Sequence, residues 1–229
     1  MGNHENYNSI HHYLDNKNYT YIFIDQRGYG LSKNIQGEYT LEEASTDIKN
    51  LIEELNLKDV NLVAHSMSTM IAQKVALICK DVKKLILTTP IPASGVKVSL
   101  LQKQSLLKQA KENKDFIEDV VYSSSKRYNQ TWIDYRIKMG YEASIVDARV
   151  GYMNMYLNTD FQEEAQENIK IPIKIIIGKH DFPVFSFNQV NKNFSKYKDV
   201  EIIECQEAGH YPMIECPVFY ASKIEEFCT

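Results

Sequence analysis

The sequence predicts an α/β fold in which a mostly parallel sheet is covered by helices on both faces. Short runs rich in β-branched and aromatic residues alternate along the chain with longer segments of helical periodicity. These runs are nearly continuous in apolar character, which is typical of parallel strands buried on both faces. The length of 229 residues fits one compact domain, with room for an insert.

Five segments have the length and composition of buried strands. The first reads YTYIFID and ends in a polar turn that contains glycine, and the second reads VNLVAH. The predicted strands span residues 19–25, 60–65, 84–89, 173–177 and 200–204.

Three helices are predicted around these strands. Thr40 with Glu43 three residues later forms a capping box, and apolar residues at helical spacing follow over residues 41–55. A second helix covers residues 67–78 directly after Ser66, and a third closes the chain over residues 218–227.

Residues 96–165 depart from the alternation, because helical patterns follow one another there without a convincing strand. We interpret this stretch as a helical cap inserted into the fold. The predicted core therefore consists of residues 1–95 and 166–229.

Composition excludes several functional classes. A net charge of -4 with scattered basic residues argues against a nucleic-acid binder, and no apolar run approaches the length of a membrane span. Four cysteines without a C-x-x-C pair favour free thiols in a reducing compartment and suggest no metal site. We therefore expect a cytoplasmic protein without a membrane partner, and the sequence leaves open whether it is a monomer or a homo-oligomer.

Three polar side chains follow predicted strands. Ser66 lies on the turn between a strand and a helix, where its hydroxyl would project above the sheet beside the positive end of the helix dipole. Asp181 and His210 follow the last two strands. Since the carboxyl ends of parallel strands meet at one edge of a sheet, a nucleophile, a base and an orienting carboxylate could meet there.

With these residues in the order Ser, Asp, His, the chain resembles the α/β-hydrolase family. The run SMSTMIAQ at 66–73 is most similar to the carboxylesterase and enol-lactonase branch of its serine hydrolases. The resemblance covers residues 2–227. Its motifs are DQRGYGLS at 25–32, AHSMS at 64–68, GKHD at 178–181 and AGHYP at 208–212.

The resemblance implies a role for each site residue. Ser66 would be the nucleophile, His210 the general base and later acid, and Asp181 the partner that fixes the imidazole tautomer. The backbone N–H groups of Met67 and Asn3 would form the oxyanion hole. No cofactor or metal is implied.

The chain also departs from the family pattern. Met1-Gly2 stands where family members have a His-Gly pair, and the strands that normally precede this point are missing, so we expect Met1 to mark a truncated or misassigned start. Ala64 and Ser68 replace the two glycines of the usual G-x-S-x-G motif, for which we expect some added strain. His65 is interpreted as a packing residue rather than a second base.

The sequence thus predicts a serine hydrolase that cleaves an ester, thioester, lactone or amide of a small, partly apolar substrate. Carbon–carbon bond cleavage and aminopeptidase activity also stay open, because hydrolases of these two kinds resemble the chain in the same SMSTMIAQ run. A second hypothesis, prompted by the missing His and strands, is a non-catalytic binding protein of the same fold or an inactive, N-terminally truncated form.

Overall fold

The computed structural model of the chain describes residues 2–124 and 127–229. Within these ranges, one parallel sheet holds four strands, hydrogen-bonded in chain order. The strands predicted from residues 60, 84, 173 and 200 onward are confirmed to within about two residues at each end. Their bounds are β1 Val60–His65, β2 Val82–Thr88, β3 Ile173–Gly178 and β4 Val200–Cys205.

Helices connect the strands and cover the sheet. The three predicted helices are confirmed as α1, α2 and α10, and none of the helices in the described ranges is long and apolar enough to cross a membrane. A 3-10 helix, His4–Tyr13, precedes them. The α-helices are α1 Leu41–Glu54, α2 Ser68–Ile78, α3 Leu100–Glu112, α4 Phe116–Ser124, α5 Gln130–Ala143, α6 Val146–Asn158, α7 Gln162–Asn168, α8 Phe187–Phe194, α9 Pro212–Glu215 and α10 Pro217–Cys228.

The start of α1 differs in detail from the predicted capping box. The Thr40 hydroxyl accepts a hydrogen bond from the Glu43 N–H at 3.2 Å, as expected. The Glu43 carboxylate, however, accepts from the N–H groups of Glu38 and Tyr39, at 3.2 and 2.9 Å. Glu43 therefore holds the chain that enters the helix rather than the cap residue itself.

The sheet separates two apolar cores. Leu85, Leu87 and Ile175 belong to the larger cluster, which includes buried residues of α1, α2 and α8. Ile86 and Ile176 point to the opposite face and pack with the N-terminal 3-10 helix, α9 and α10. Successive side chains of β2 are thus buried on opposite faces, which explains why this strand is apolar without alternation.

Helices α3 to α7 lie between β2 and β3, in the stretch where helical patterns follow one another in the sequence. One isolated antiparallel bridge joins Tyr29 to Ser144, at the end of α5. The division of the chain into a core and a helical cap, with bounds at 96 and 165, stays a prediction.

The strand predicted at residues 19–25 is wrong. The segment is irregular, no described residue forms a ladder with it, and the sheet ends at β1. Its side chains still alternate in exposure, with Ile22 and Ile24 more than 40% exposed. The local preference for extended backbone is therefore present, but a strand also needs a neighbour for its N–H and C=O groups.

Candidate active site

Ser66 occupies a sharp turn between β1 and α2. Its N–H donates to the Thr88 carbonyl at 2.9 Å, which extends the β1–β2 ladder, and its carbonyl accepts from the Thr69 N–H at 3.0 Å, which begins the helical turn. Between these two bonds the backbone of Ser66 has a φ of 53°, in the left-handed region that non-glycine residues rarely adopt. Strand and helix together hold this strained turn, and such outliers cluster at functional sites.

Ser68 supports the turn through its hydroxyl. The Ser68 Oγ donates to the His65 carbonyl at 2.8 Å and accepts from the His65 N–H at 3.1 Å. Ala64, which stands in place of the other glycine of the motif, is a buried core residue. The side chain at position 68 thus adds hydrogen bonds to the turn, where the sequence led us to expect only crowding.

Asp181 and His210 lie on the loops that follow β3 and β4. These loops approach each other so closely that a Cβ at Gly178 would lie 1.9 Å from the Gly209 carbonyl oxygen. Only glycine fits at the end of β3 without moving the loop of His210. The His180 N–H also donates to the Ala208 carbonyl at 3.0 Å, which ties the two loops together.

The structure brings Ser66, His210 and Asp181 into hydrogen-bond contact. His210 Nε2 lies 3.2 Å from Ser66 Oγ, and Nδ1 lies 3.0 and 2.9 Å from the two carboxylate oxygens of Asp181. The Asp181 side chain is 1% exposed, and its Oδ1 also accepts from the Phe182 N–H at 2.6 Å. A carboxylate can only accept, so Nδ1 bears a proton and Nε2 is free to accept one from the hydroxyl.

Rings surround the imidazole of His210. The ring centroids of His65, Phe185 and Tyr211 lie 4.9, 5.1 and 5.1 Å from its own. His65 Nε2 donates to the His210 carbonyl at 2.7 Å, so His65 packs against the base and its backbone. Burial, and next the neighbouring His210, keep the pKa of His65 well below its ordinary value, so His65 is neutral.

The two predicted oxyanion donors lie at the starts of helical segments. Met67 is the N-cap of α2, and Asn3 is the N-cap of the N-terminal 3-10 helix, where its side chain accepts from the Glu5 N–H. Among the residues that the structure describes, neither the Met67 N–H nor the Asn3 N–H donates a hydrogen bond. Both groups are therefore free to bind an anion, although Met1, the counterpart of the family's His, lies outside the described ranges.

Asp25 connects the first turn of the chain to the segment of Asn3. Its carboxylate accepts from the N–H groups of His4 and Leu31, at 2.7 and 2.8 Å, and lies 2.6 Å from His4 Nδ1. A Cβ at Gly30 would lie 2.0 Å from Asp25 Oδ2, so a side chain at position 30 would collide with this carboxylate. The sequence pointed to the turn but not to its contact with His4.

The described residues include no group of three or more His, Cys, Asp or Glu side chains arranged to hold a metal ion. At the carboxyl ends of the strands, the structure places a hydroxyl, an imidazole and a carboxylate in one line. Such a line can move a proton from an oxygen to a nitrogen and stabilise the cation that forms.

Comparison with known proteins agrees with this architecture. The sequence model of the alpha/beta hydrolase fold matches residues 1–217. Among solved structures, an esterase from Exiguobacterium antarcticum superposes with a TM-score of 0.88 at 19% identity, over 99% of this chain and 88% of the esterase. A thermophilic esterase from Thermogutta terrifontis gives 0.83 at 18% identity, over 99% and 85%.

An enol-lactonase from Burkholderia xenovorans gives a TM-score of 0.72 at 18% identity, over 89% of this chain and 78% of the lactonase. No curated protein matches the sequence. At these identities, the structural likeness establishes a shared fold but does not identify the reaction, which depends on the residues of the site.

Proposed function

The chain belongs to the α/β-hydrolase fold family, and on that premise we propose that it is a serine hydrolase acting through a Ser66 acyl-enzyme. The substrate would be an ester, thioester, lactone or amide of a small, partly apolar molecule. The observation that supports this proposal most strongly is the hydrogen-bonded line from Ser66 through His210 to Asp181, with distances of 3.2 and 2.9 Å.

In the first half of the reaction, His210 Nε2 takes the proton of Ser66 Oγ while the oxygen attacks the substrate carbonyl. The carbonyl oxygen becomes an anion, which the N–H of Met67, and in this proposal also that of Asn3, would bind. His210 then gives its proton to the leaving oxygen, sulfur or nitrogen as that bond breaks. The products are a Ser66 ester and the free alcohol, thiol or amine.

In the second half, water replaces the leaving group. His210 takes a proton from the water as its oxygen attacks the Ser66 ester, and the same oxyanion donors bind the second tetrahedral intermediate. The bond to Ser66 Oγ then breaks and Oγ recovers its proton from His210. The products are a carboxylic acid and the regenerated enzyme, so neither half of the reaction needs an external oxidant or reductant.

Asp181 makes the proton transfer to His210 favourable. Its buried carboxylate lies against Nδ1, so an imidazolium at His210 would be paired with a charge that water screens little. The same contact keeps the proton on Nδ1, so Nε2, which faces Ser66, bears none.

The choice of substrate class rests on the surroundings of His210 and on the relatives. Phe182 and Phe185 follow Asp181 and present rings near the imidazole, which favours a substrate with apolar groups. The similar structures include esterases and an enol-lactonase. We therefore favour carboxylic esters and lactones over amides.

A substrate screen with a matched pair of variants tests the proposal. Short and long acyl esters, lactones and aminoacyl amides are offered to the wild type, to Ser66→Ala and to Ser186→Ala, an exposed serine in the segment before α8. We expect Ser66→Ala to lower kcat by about six orders of magnitude and Ser186→Ala to leave it unchanged. Near-normal turnover in Ser66→Ala would rule out the acyl-enzyme.

A further inference from the structure

The carboxylate of Glu215 lies against the loop that holds His210. Glu215 is the last residue of α9, and its side chain is 1% exposed. Its Oε2 accepts from the Gly209 N–H at 2.6 Å and its Oε1 accepts from the Tyr211 N–H at 2.8 Å. The two oxygens thus accept hydrogen bonds from the backbone N–H groups of the residues immediately before and after His210.

A third donor reaches the same carboxylate from the helical region between β2 and β3. The Tyr128 hydroxyl, just before α5, donates to Glu215 Oε2 at 2.7 Å, and Arg127 Nη1 lies 3.9 Å from that oxygen. Burial, followed by the hydrogen bond to Glu215, raises the pKa of Tyr128, so the phenol keeps its proton and remains a donor.

This arrangement meets the requirements of a buried charge. An isolated carboxylate in the protein interior is strongly unfavourable, whereas one with several hydrogen-bond donors and a nearby guanidinium is tolerated. Glu215 has three donors, two of which are backbone groups that flank His210. The charge is therefore held where it can fix the backbone of the loop.

We propose that Glu215 is a positioning residue for His210, and that Tyr128 makes this positioning depend on the placement of the segment that precedes α5. The imidazole must hold Ser66 and Asp181 at once, through contacts of 3.2 and 2.9 Å, so a small rotation of its backbone breaks one of them. The proposal rests on the proposed function only in giving His210 the role of base.

The first test compares Glu215→Gln with Glu207→Gln. Glutamine keeps the shape of Glu215 but has one oxygen, so one of the two peptide N–H groups faces an amide N–H2. Glu207 is the matched control, because it lies on the same loop, has an 82% exposed side chain and is 3.8 Å from the same Arg127.

The readout is the inactivation of the enzyme by a fluorophosphonate, measured as a maximal rate and a half-saturating concentration. For Glu215→Gln we expect the maximal rate to fall by about 10- to 100-fold, because a base displaced by about 1 Å loses up to that much. The half-saturating concentration should stay within about twofold, because Glu215 contacts the loop of His210 and not the proposed oxyanion donors. Glu207→Gln should match the wild type.

Tyr128→Phe tests the link to the segment before α5. The variant keeps the ring against Trp132, at 4.6 Å between centroids, and loses only the hydroxyl. Since one of the three donors is removed, we expect the maximal rate to fall by about 3- to 10-fold. If Glu215→Gln does not fold, this variant decides the proposal alone.

A nuclear magnetic resonance measurement separates this proposal from the proposed function. The His210 Nδ1 proton, held by Asp181, should give a resolved downfield signal in the wild type and in Glu207→Gln, and a shifted or broadened one in Glu215→Gln and Tyr128→Phe. This readout needs no turnover, so it decides the positioning role even if fluorophosphonate fails to label Ser66. Folded Glu215→Gln and Tyr128→Phe with the wild-type rate or signal would overturn the proposal.

Discussion

Replacing Asp181 by asparagine is expected to exchange the hydrogen-bond donor and acceptor roles of the two His210 ring nitrogens while leaving the fold intact. The Phe182 N–H donates to Oδ1 at 2.6 Å, so the amide oxygen of the new side chain would stay at that position. The amide N–H2 would then take the place of Oδ2, the nearer oxygen at 2.9 Å from His210 Nδ1, while the amide oxygen, 3.0 Å from Nδ1, keeps its shorter hydrogen bond from the Phe182 N–H. Because an amide nitrogen only donates, Nδ1 would become the acceptor and the imidazole proton would move to Nε2, facing Ser66.

A histidine in that tautomer cannot take the proton of Ser66. Loss of the correct tautomer lowers kcat by roughly 10⁴-fold where this has been isolated, which corresponds to about 5 kcal/mol of activation free energy. The assay is steady-state hydrolysis of the best ester or lactone from the screen, with thermal unfolding as a check on the fold. Asp199→Asn, at an exposed position before β4, is the control.

A loss of less than about tenfold in a folded Asp181→Asn protein, with Ser66→Ala inactive, would contradict this role of Asp181. It would mean that the tautomer of His210 is set by another contact. A loss equal to that of Asp199→Asn would show that the assay measures stability rather than catalysis.

Three further predictions concern the support of the site. Ser68→Gly should lower the free energy of unfolding by about 1–2 kcal/mol and the Tm by about 2–8 °C, since two hydrogen bonds to His65 are lost; a higher Tm would show that relief of strain dominates. Because the folded pKa of His65 is depressed, its contribution to the free energy of unfolding is complete above about pH 6.5 and is lost as pH falls towards the folded pKa, by up to about 1.4 kcal/mol per pH unit. In urea unfolding below pH 6.5, the free energy of unfolding should therefore depend less steeply on pH in His65→Gln than in the wild type. Equal pH dependence in the two proteins would contradict this. Gly178→Ala should cost about 1–3 kcal/mol in urea unfolding, because its Cβ meets the Gly209 carbonyl; an unchanged midpoint would mean that the loop moves freely.

Much of the fold could be predicted because the deciding signals are local. The runs that became β1 and β3 are six residues long and mostly apolar, and the hydroxyl of Thr40 caps the helix that follows it in sequence. Local composition and spacing suffice for such elements. The placement of Ser66, Asp181 and His210 after β1, β3 and β4 followed from the same information, since parallel strands end at one edge.

The segment at residues 19–25 shows where local information stops. Its composition and its alternating exposure are those of a strand, but pairing depends on whether another strand lies beside it. The whole sheet determines whether such a neighbour exists, and the sheet ends at β1. β-propensity describes a side chain that fits a pleated surface and says nothing about the partner.

The supporting contacts of the site were also beyond the sequence. The packing role predicted for His65 agrees with its ring contact to His210. Its hydrogen bond, however, joins groups 145 residues apart, and the hydroxyl of Tyr128 meets Glu215 across 87 residues. The sequence around Glu215 offers one signal, a carboxylate in a short helical turn that begins with Pro212, the last residue of the motif of His210. That signal places a carboxylate near the loop but does not say which N–H groups it binds.

Locating the adduct that a fluorophosphonate forms shows whether Ser66 is the nucleophile. The folded protein is treated with the probe, digested, and its peptides are analysed by mass spectrometry. We expect one adduct per chain on Ser66, absent from Ser66→Ala and much slower to form in Asp181→Asn. An adduct on another residue, or a folded wild-type protein that takes up no probe, would contradict it.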